Sequence, residues 1–269
     1  MTTTYGHLTW EDVRDADKDR VVILNVSATE DHGPHMPLDT DTVLGMAIAN
    51  GVAQAAPDEV FVMPPVPYGF NEHHKDFPGV IWIQPETLIA FVTDITKSLA
   101  HHGFRRILLL NSHGSNHPCL DLAARKTVIE TGIICVSASY WNLMSARINA
   151  VRKSEIGGIA HAGEFEAAMY MHLHPERVHI DKSTTQNLHN PNSKFFNLDL
   201  AGGGGGGRCS CVGGPKCRQT APWATQRWLT LRQESGFWTL RSRKRRPLFV
   251  KSGRCRFFSV TTITEPKGQ

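Results

Sequence analysis

The chain has 269 residues, 41% hydrophobic and 20% charged, a balance that fits one large soluble domain and excludes a disordered whole. Its polar, acidic start, MTTTYGHLTWEDVRDADKDR, does not read as a secretory signal, and no apolar run approaches membrane-spanning length, so a cytoplasmic setting is expected. The net charge of +4 hides a division: residues 1–200 hold 15 Lys+Arg, 23 Asp+Glu and all 14 histidines, whereas residues 201–269 hold 14 Lys+Arg against Glu234 and Glu265 alone. A run of six glycines, Gly202–Gly207, marks the break, and four of the six cysteines follow it. Two units are therefore expected, a folded domain over 1–200 and a Gly/Arg/Cys-rich irregular tail over 201–269.

In chain order, VVILNV (Val21–Val26) is a short, apolar, β-branched run and reads as a buried strand. DTVLGMAIANGVAQAA has helical spacing, with Val43, Leu44, Ala47, Ile48 and Val52 on one face and Thr40 or Asp41 near its start. VFVMPPV is a second strand running into the Pro/Gly loop PYGFNEHHKDFPG. PETLIAFVTDITKSLAHHG is a helix between Pro85 and Gly103. RRILLLN is a third strand, HPCLDLAARKTVIETG a helix, IICVSASYW a fourth strand, and EFEAAMYMHLHPERV a helix that ends before Pro175. Strands alternating with helices predict an α/β fold with a mainly parallel central sheet covered on both faces. In such sheets ligands gather where strands end at their carboxyl edge.

Two polar segments leave strands at that edge. TEDHGPHMPLDTD (Thr29–Asp41) offers Glu30 and His32, two apart and so on one side of an extended backbone, and Asp41 where the helix begins. NSHGSNH offers His113 beside a glycine that lets backbone pass close to a ligand. Glu164, in HAGEFE, precedes the last helix. Mixed carboxylates and imidazoles suit Zn, Mn or Fe better than the all-oxygen sites of Ca. More carboxylates than one zinc needs point to two metals bridged about 3.5–4 Å apart. Each residue also has an ordinary reading: His113 as a hydrogen-bonded residue at a strand end, and Glu164 as a favourable charge at a helix start. His101, His102, His172 and His174 sit near helix ends and read as solvated. Glu72, His73 and His74 lie in a loop and are either substrate contacts or surface. What separates Glu30, His32, Asp41 and His113 is their joint arrangement at one edge.

TEDHGPHMPLDTD resembles the creatininase family motif, close to T-E-Q-H-G-P-H-L-P-L-x-T-D; LLLNSHGSN resembles its N-G-H-G-G-N, HAGEFE its H-A-G-E-x-E-T, and FPGVIWIQPETL its F-P-G-T segment. The resemblance covers roughly residues 8–200, in order. It implies a three-layer α/β/α fold and a dinuclear metal hydrolase acting on small or cyclic non-peptide amides, usually a homohexamer. Carried over, Glu30, His32, Asp41 and His113 are metal ligands, with Asp41 bridging. Glu164 is the remaining carboxylate and a catalytic acid or base, because Ser115 stands where creatininase itself finds that ligand. His161 is a proton shuttle. His74, Ser115 and Trp141 are expected substrate contacts, with a core position an equal reading for Trp141. Zn is the foremost metal, with Mn or Fe also accommodated. The departures are Asp31 for Gln, Ser112 and Ser115 for Gly, and Ala167 for Thr. The alternative within the family is an inactive or unstable homologue.

In the tail, Cys209-x-Cys211-x5-Cys217 has no histidine partner, and RSRKRR belongs to no recognisable binding module, so nucleic acid is not an expected partner. A frame argument accounts for the break. If PWATQRWLTLRQESGFW (Pro222–Trp238) is read from the third base of each codon, the codons permit MGDPTVADPAAGERLLD, which resembles the family's late G-D-P-x-x-A-x-x-x-x-G-E segment. A base gained or lost in the glycine codons would leave 201–269 frameshifted and its charge and cysteines without function. Resequencing the gene across that run is expected to recover one missing or extra base; a frame intact throughout contradicts this.

Overall fold

The computed structural model describes residues 3–184 and 199–202, and the backbone of 231–234, 237–240 and 248–250. Four strands form one sheet in the order β2-β1-β3-β4, every neighbour parallel: β1 (Val21–Val26), β2 (Val60–Val62), β3 (Arg106–Asn111) and β4 (Ile134–Ser139). The β-branched and leucine-rich runs suit strands buried on both faces. Successive residues serve opposite faces. Val22, Leu24 and Val26 join Phe61, Ile107 and Leu109 on the side closed by α3 (Pro85–His101) and α4 (His117–Thr131). Ile23, Val60, Val62 and Leu110 join the side closed by α2 (Thr40–Ala55), α5 (Tyr140–Val151) and α6 (Glu164–Leu173). The three-layer α/β/α expectation holds.

Two helices escape the sequence reading. α1 (Trp10–Asp15) starts at a capping box in which the Thr9 and Asp12 side chains satisfy each other's backbone N–H. α5 follows β4 with no intervening loop, so the expected fourth strand ends at Ser139 and Tyr140 and Trp141 open a helix instead. Among the described residues no helix is long and apolar enough to cross a membrane. The expected irregular tail falls largely outside the described residues. Within it, the backbone of β5 (Leu231–Glu234), β6 (Phe237–Leu240) and β7 (Leu248–Val250) forms a separate antiparallel sheet.

Register places the functional loops. Val26 pairs with Asn111, so β1 and β3 end level and release their loops side by side. Ser112 N–H then donates to Val26 O at 3.1 Å. Inside the sheet edge, Asn25 donates Nδ2 to Leu110 O (3.1 Å) and to Ser112 Oγ (2.9 Å). α2 lies directly over this network at Gly45, where a Cβ would come within 2.7 Å of both Asn25 Cγ and Ser112 Oγ. Gly45 sits one turn beyond Asp41, so the close approach of α2 to β1 sets where the Asp41 carboxylate hangs. Gly45→Ala is expected to cost about 1–3 kcal/mol through overpacking, seen as a lower urea midpoint, together with weaker divalent-metal binding in a competition titration; an unchanged midpoint would mean the helix can move aside freely.

Candidate metal centre

The donor loop that follows β1 is pinned on several sides. Asn116 donates Nδ2 to Ser27 O (3.0 Å) and accepts Phe70 N–H (2.9 Å), and Asn71 donates Nδ2 to Thr29 O (3.1 Å). Asn111 Oδ1 accepts His113 N–H at 3.1 Å, fixing the turn after β3. These bonds deliver Glu30, His32, Asp41 and His113, all buried, to one point at the carboxyl edge of β1 and β3.

Two triads form there, sharing Asp41. His113 Nδ1 lies 2.8 Å from Glu30 Oε1 and 3.3 Å from Asp41 Oδ2. His32 Nε2 lies 3.2 Å from Asp41 Oδ1 and 3.8 Å from Glu166 Oε2. Each triad's ligand atoms lie within 4.8 Å of one another, close enough to surround an ion. Imidazole tautomers agree with this use. His113 Nε2 is 3.3 Å from Phe70 O, and His32 Nδ1 is 3.4 Å from Glu30 O. Donation to those carbonyls would free His113 Nδ1 and His32 Nε2 to ligate a metal; without one, the same nitrogens face the carboxylates as N–H groups. Glu30 Oε2, Asp41 Oδ2 and His32 Nε2 are buried without a hydrogen-bond partner, which costs free energy unless a cation satisfies them. The residues present fit a pair of divalent ions.

Glu164, the expected fifth ligand, does not join this cluster; Glu166 does. Two residues apart on α6 is about 200° of helical rotation, so the two carboxylates leave opposite sides. Glu166 Oε2 accepts Ala162 N–H at 2.6 Å and faces His32. Glu164 turns the other way and accepts the backbone N–H groups of Lys153 (2.7 Å) and Ser154 (2.6 Å), tying the end of α5 to the start of α6. Glu166 was visible in HAGEFE, but only the phase of the helix selects it. Ala162, between His161 and Gly163, holds the left-handed φ of 55°, a backbone conformation that L side chains rarely adopt and one often kept near functional sites.

His161 sits at the rim with its side chain 29% exposed, Nδ1 3.5 Å from Glu30 Oε1 and the ring 4.5 Å from that of His32. His74 Nδ1 lies 3.4 Å from Glu30 Oε2, and Ser115 Oγ 3.4 Å from His73 Nε2, so both belong to the same mouth. Trp141 is 4% exposed and packs edge-on against Tyr140 in the apolar core, the second of its two expected positions. Its neighbour Tyr140, not singled out in the sequence, buries an unpartnered hydroxyl whose pKa is driven well up by burial and by the charges of Glu166 and Asp41.

The comparisons with known proteins bear on this site. The sequence model of the creatininase family, described as creatinine amidohydrolase, matches residues 6–236. The chain belongs to the creatininase family. This makes it a hydrolase of carbon–nitrogen bonds of the creatinine amidohydrolase kind. The match runs past the composition break at residue 200. Creatinine amidohydrolase of Pseudomonas putida is 34% identical over 195 residues, covering 66% of this chain and 74% of the relative. Mycofactocin precursor peptide peptidase of Mycolicibacterium smegmatis is 32% identical over 166 residues, and this chain spans only 61% of its length. A solved mutant creatininase of Zn-Zn type superposes with a TM-score of 0.64 at 28% identity, over 75% of this chain and 84% of that one, and a Mn form matches with the same TM-score at 29% identity.

Without metal, protons stand in for the cations. Burial alone would depress His32, but Asp41, Glu166 and Glu30 outweigh it and hold the imidazole up at about 10. His113 is raised well above its ordinary range, burial again being outweighed, here by Glu30 and Asp41. His35, His73 and His74 go the other way: burial lowers each to about 4. Stability of the chelator-treated protein should therefore fall on both sides of about pH 6.5. The share owed to protonated His32 is complete below 6.5 and lost as pH rises toward about 10. The share owed to neutral His35, His73 and His74 is complete above 6.5 and lost as pH falls toward about 4. Urea midpoints measured from pH 4 to 10 check this, and added Zn2+ is expected to flatten the alkaline limb by replacing the His32 proton.

Proposed function

We propose that the chain is a divalent-metal-dependent amidohydrolase that opens a small cyclic, non-peptide amide. The observation that carries this reading is Asp41, whose two buried oxygens each face a different imidazole. Glu30, Asp41 and His113 would hold one ion; His32, Asp41 and Glu166 would hold the other. Zn is the leading metal, since two of six donors are imidazole nitrogens, and Mn or Fe fits the same set. The relationship to the P. putida creatinine amidohydrolase supports the substrate class.

When bound, such a pair supplies a water of lowered pKa and polarises a carbonyl oxygen. The chain supplies the rest. Neutral His113 and His32 present one lone pair each, fixed by the Phe70 and Glu30 carbonyls. His161, partly exposed at the rim with Nδ1 towards Glu30, is placed to carry a proton through its ring nitrogens to the leaving nitrogen. His74 and Ser115 border the mouth and would contact the substrate. A homo-oligomeric state is part of the same reading, tested by light scattering of the purified chain.

Metal analysis of purified variants tests the assignment. Asp41→Asn is expected to lose both ions, Glu166→Gln to weaken one, and Glu164→Gln to keep both while lowering only the unfolding midpoint. His161→Ala should retain metal and slow turnover of creatinine or a related lactam by about 10²–10⁴-fold. Bound metal with no turnover on any cyclic amide would favour the inactive-homologue alternative, and absence of metal after reconstitution would overturn the reading.

A further inference from the structure

Three side chains at the mouth are not used by the two triads in full. Asp31 stands where the family motif carries a neutral glutamine, and it is only 7% exposed. Its Oδ2 lies 3.8 Å from His74 Nδ1 and 3.9 Å from His161 Nε2, too far for a hydrogen bond to either. Asp31 Oδ1, His74 Nδ1 and His161 Nε2 are all buried without a hydrogen-bond partner. A buried carboxylate with one oxygen unpartnered, and the other facing two imidazole nitrogens it does not reach, is costly unless something cationic sits between them. Donors around a tetrahedral ion at about 2.0–2.1 Å stand about 3.3–3.4 Å apart, so small side-chain rotations would close these gaps.

We infer that Asp31, His74 and His161 form a third divalent-cation site at the mouth, beside the paired site and specific to a chain with aspartate at position 31. Their ligand atoms already lie within 4.8 Å of one another. Glu30 Oε2, 3.4 Å from His74 Nδ1, is at hand as a fourth donor while Glu30 Oε1 faces His113. Two imidazoles and one or two carboxylates select a transition metal such as Zn over Mg or Ca. Repulsion from neighbouring dications makes this the last site to fill. Once filled, it takes up His161 Nε2, one of the two nitrogens through which His161 would move its proton.

The inference rests on the two-ion reading for its neighbours and for the order of filling. Equilibrium dialysis of the full chain against Zn2+, followed by elemental analysis, separates the two. Three equivalents are expected for the native sequence, falling to two in both Asp31→Asn and His74→Gln. His74 has a partly exposed loop side chain, so its variant serves if Asp31→Asn folds poorly. Two equivalents in the native sequence, unchanged by either variant, overturn the third site and leave the pair standing. Three equivalents in the native sequence and in both variants assign the extra ion to surface histidines and also overturn it. One equivalent that is lost in Asp31→Asn but kept in Asp41→Asn would support the third site and sink the pair.

Discussion

Packing carboxylates into the end of a parallel sheet is the constraint on which this molecule turns. Glu30, Asp41 and Glu166 are removed from water within a few ångströms of one another, and nothing apolar could replace what stabilises them. His32 and His113 answer that charge with protons in the bare chain, and under the proposed function with lone pairs to metal. Either way the negative charge needs a positive neighbour. The second layer of asparagines and carbonyls exists to keep each donor aimed at its counterpart.

That aim comes from register and from small residues. The level ending of β1 and β3 brings loops from distant parts of the chain to one height. Asn25, Ser112 and Gly45 let α2 lie against the strand ends so that Asp41 enters from the helix side. The proposed ligands are thus spread over the β1 exit, the β3 exit, α2 and α6, with no element supplying more than two. A site built this way depends on the whole sheet being folded, which couples metal affinity to global stability.

Much of this was legible in the sequence because strands end in recognisable places. Glu30, His32 and His113 follow apolar β-branched or leucine runs, and Asp41 opens a helix whose spacing is plain. Glu166 was not legible. HAGEFE contains two candidate glutamates, and only the rotation of α6 relative to α2 decides between them. Helix α5 is hidden for a related reason: the β-favouring aromatics Tyr140 and Trp141 directly follow a strand, while tertiary packing in the core makes them a helix start. In the sequence Asp31 stands out only as a departure from the family pattern. Its orphaned oxygen and its distances to His74 and His161 exist only in three dimensions.

The twisted backbone at Ala162 has one more implication. A glycine there would relieve the backbone but would remove a fully buried methyl from the core. Yet the same contorted peptide presents its N–H to Glu166 and carries His161 on its shoulder. Ease at this bend would come at the expense of packing, and among the described non-glycine residues the one left-handed backbone sits next to the candidate site.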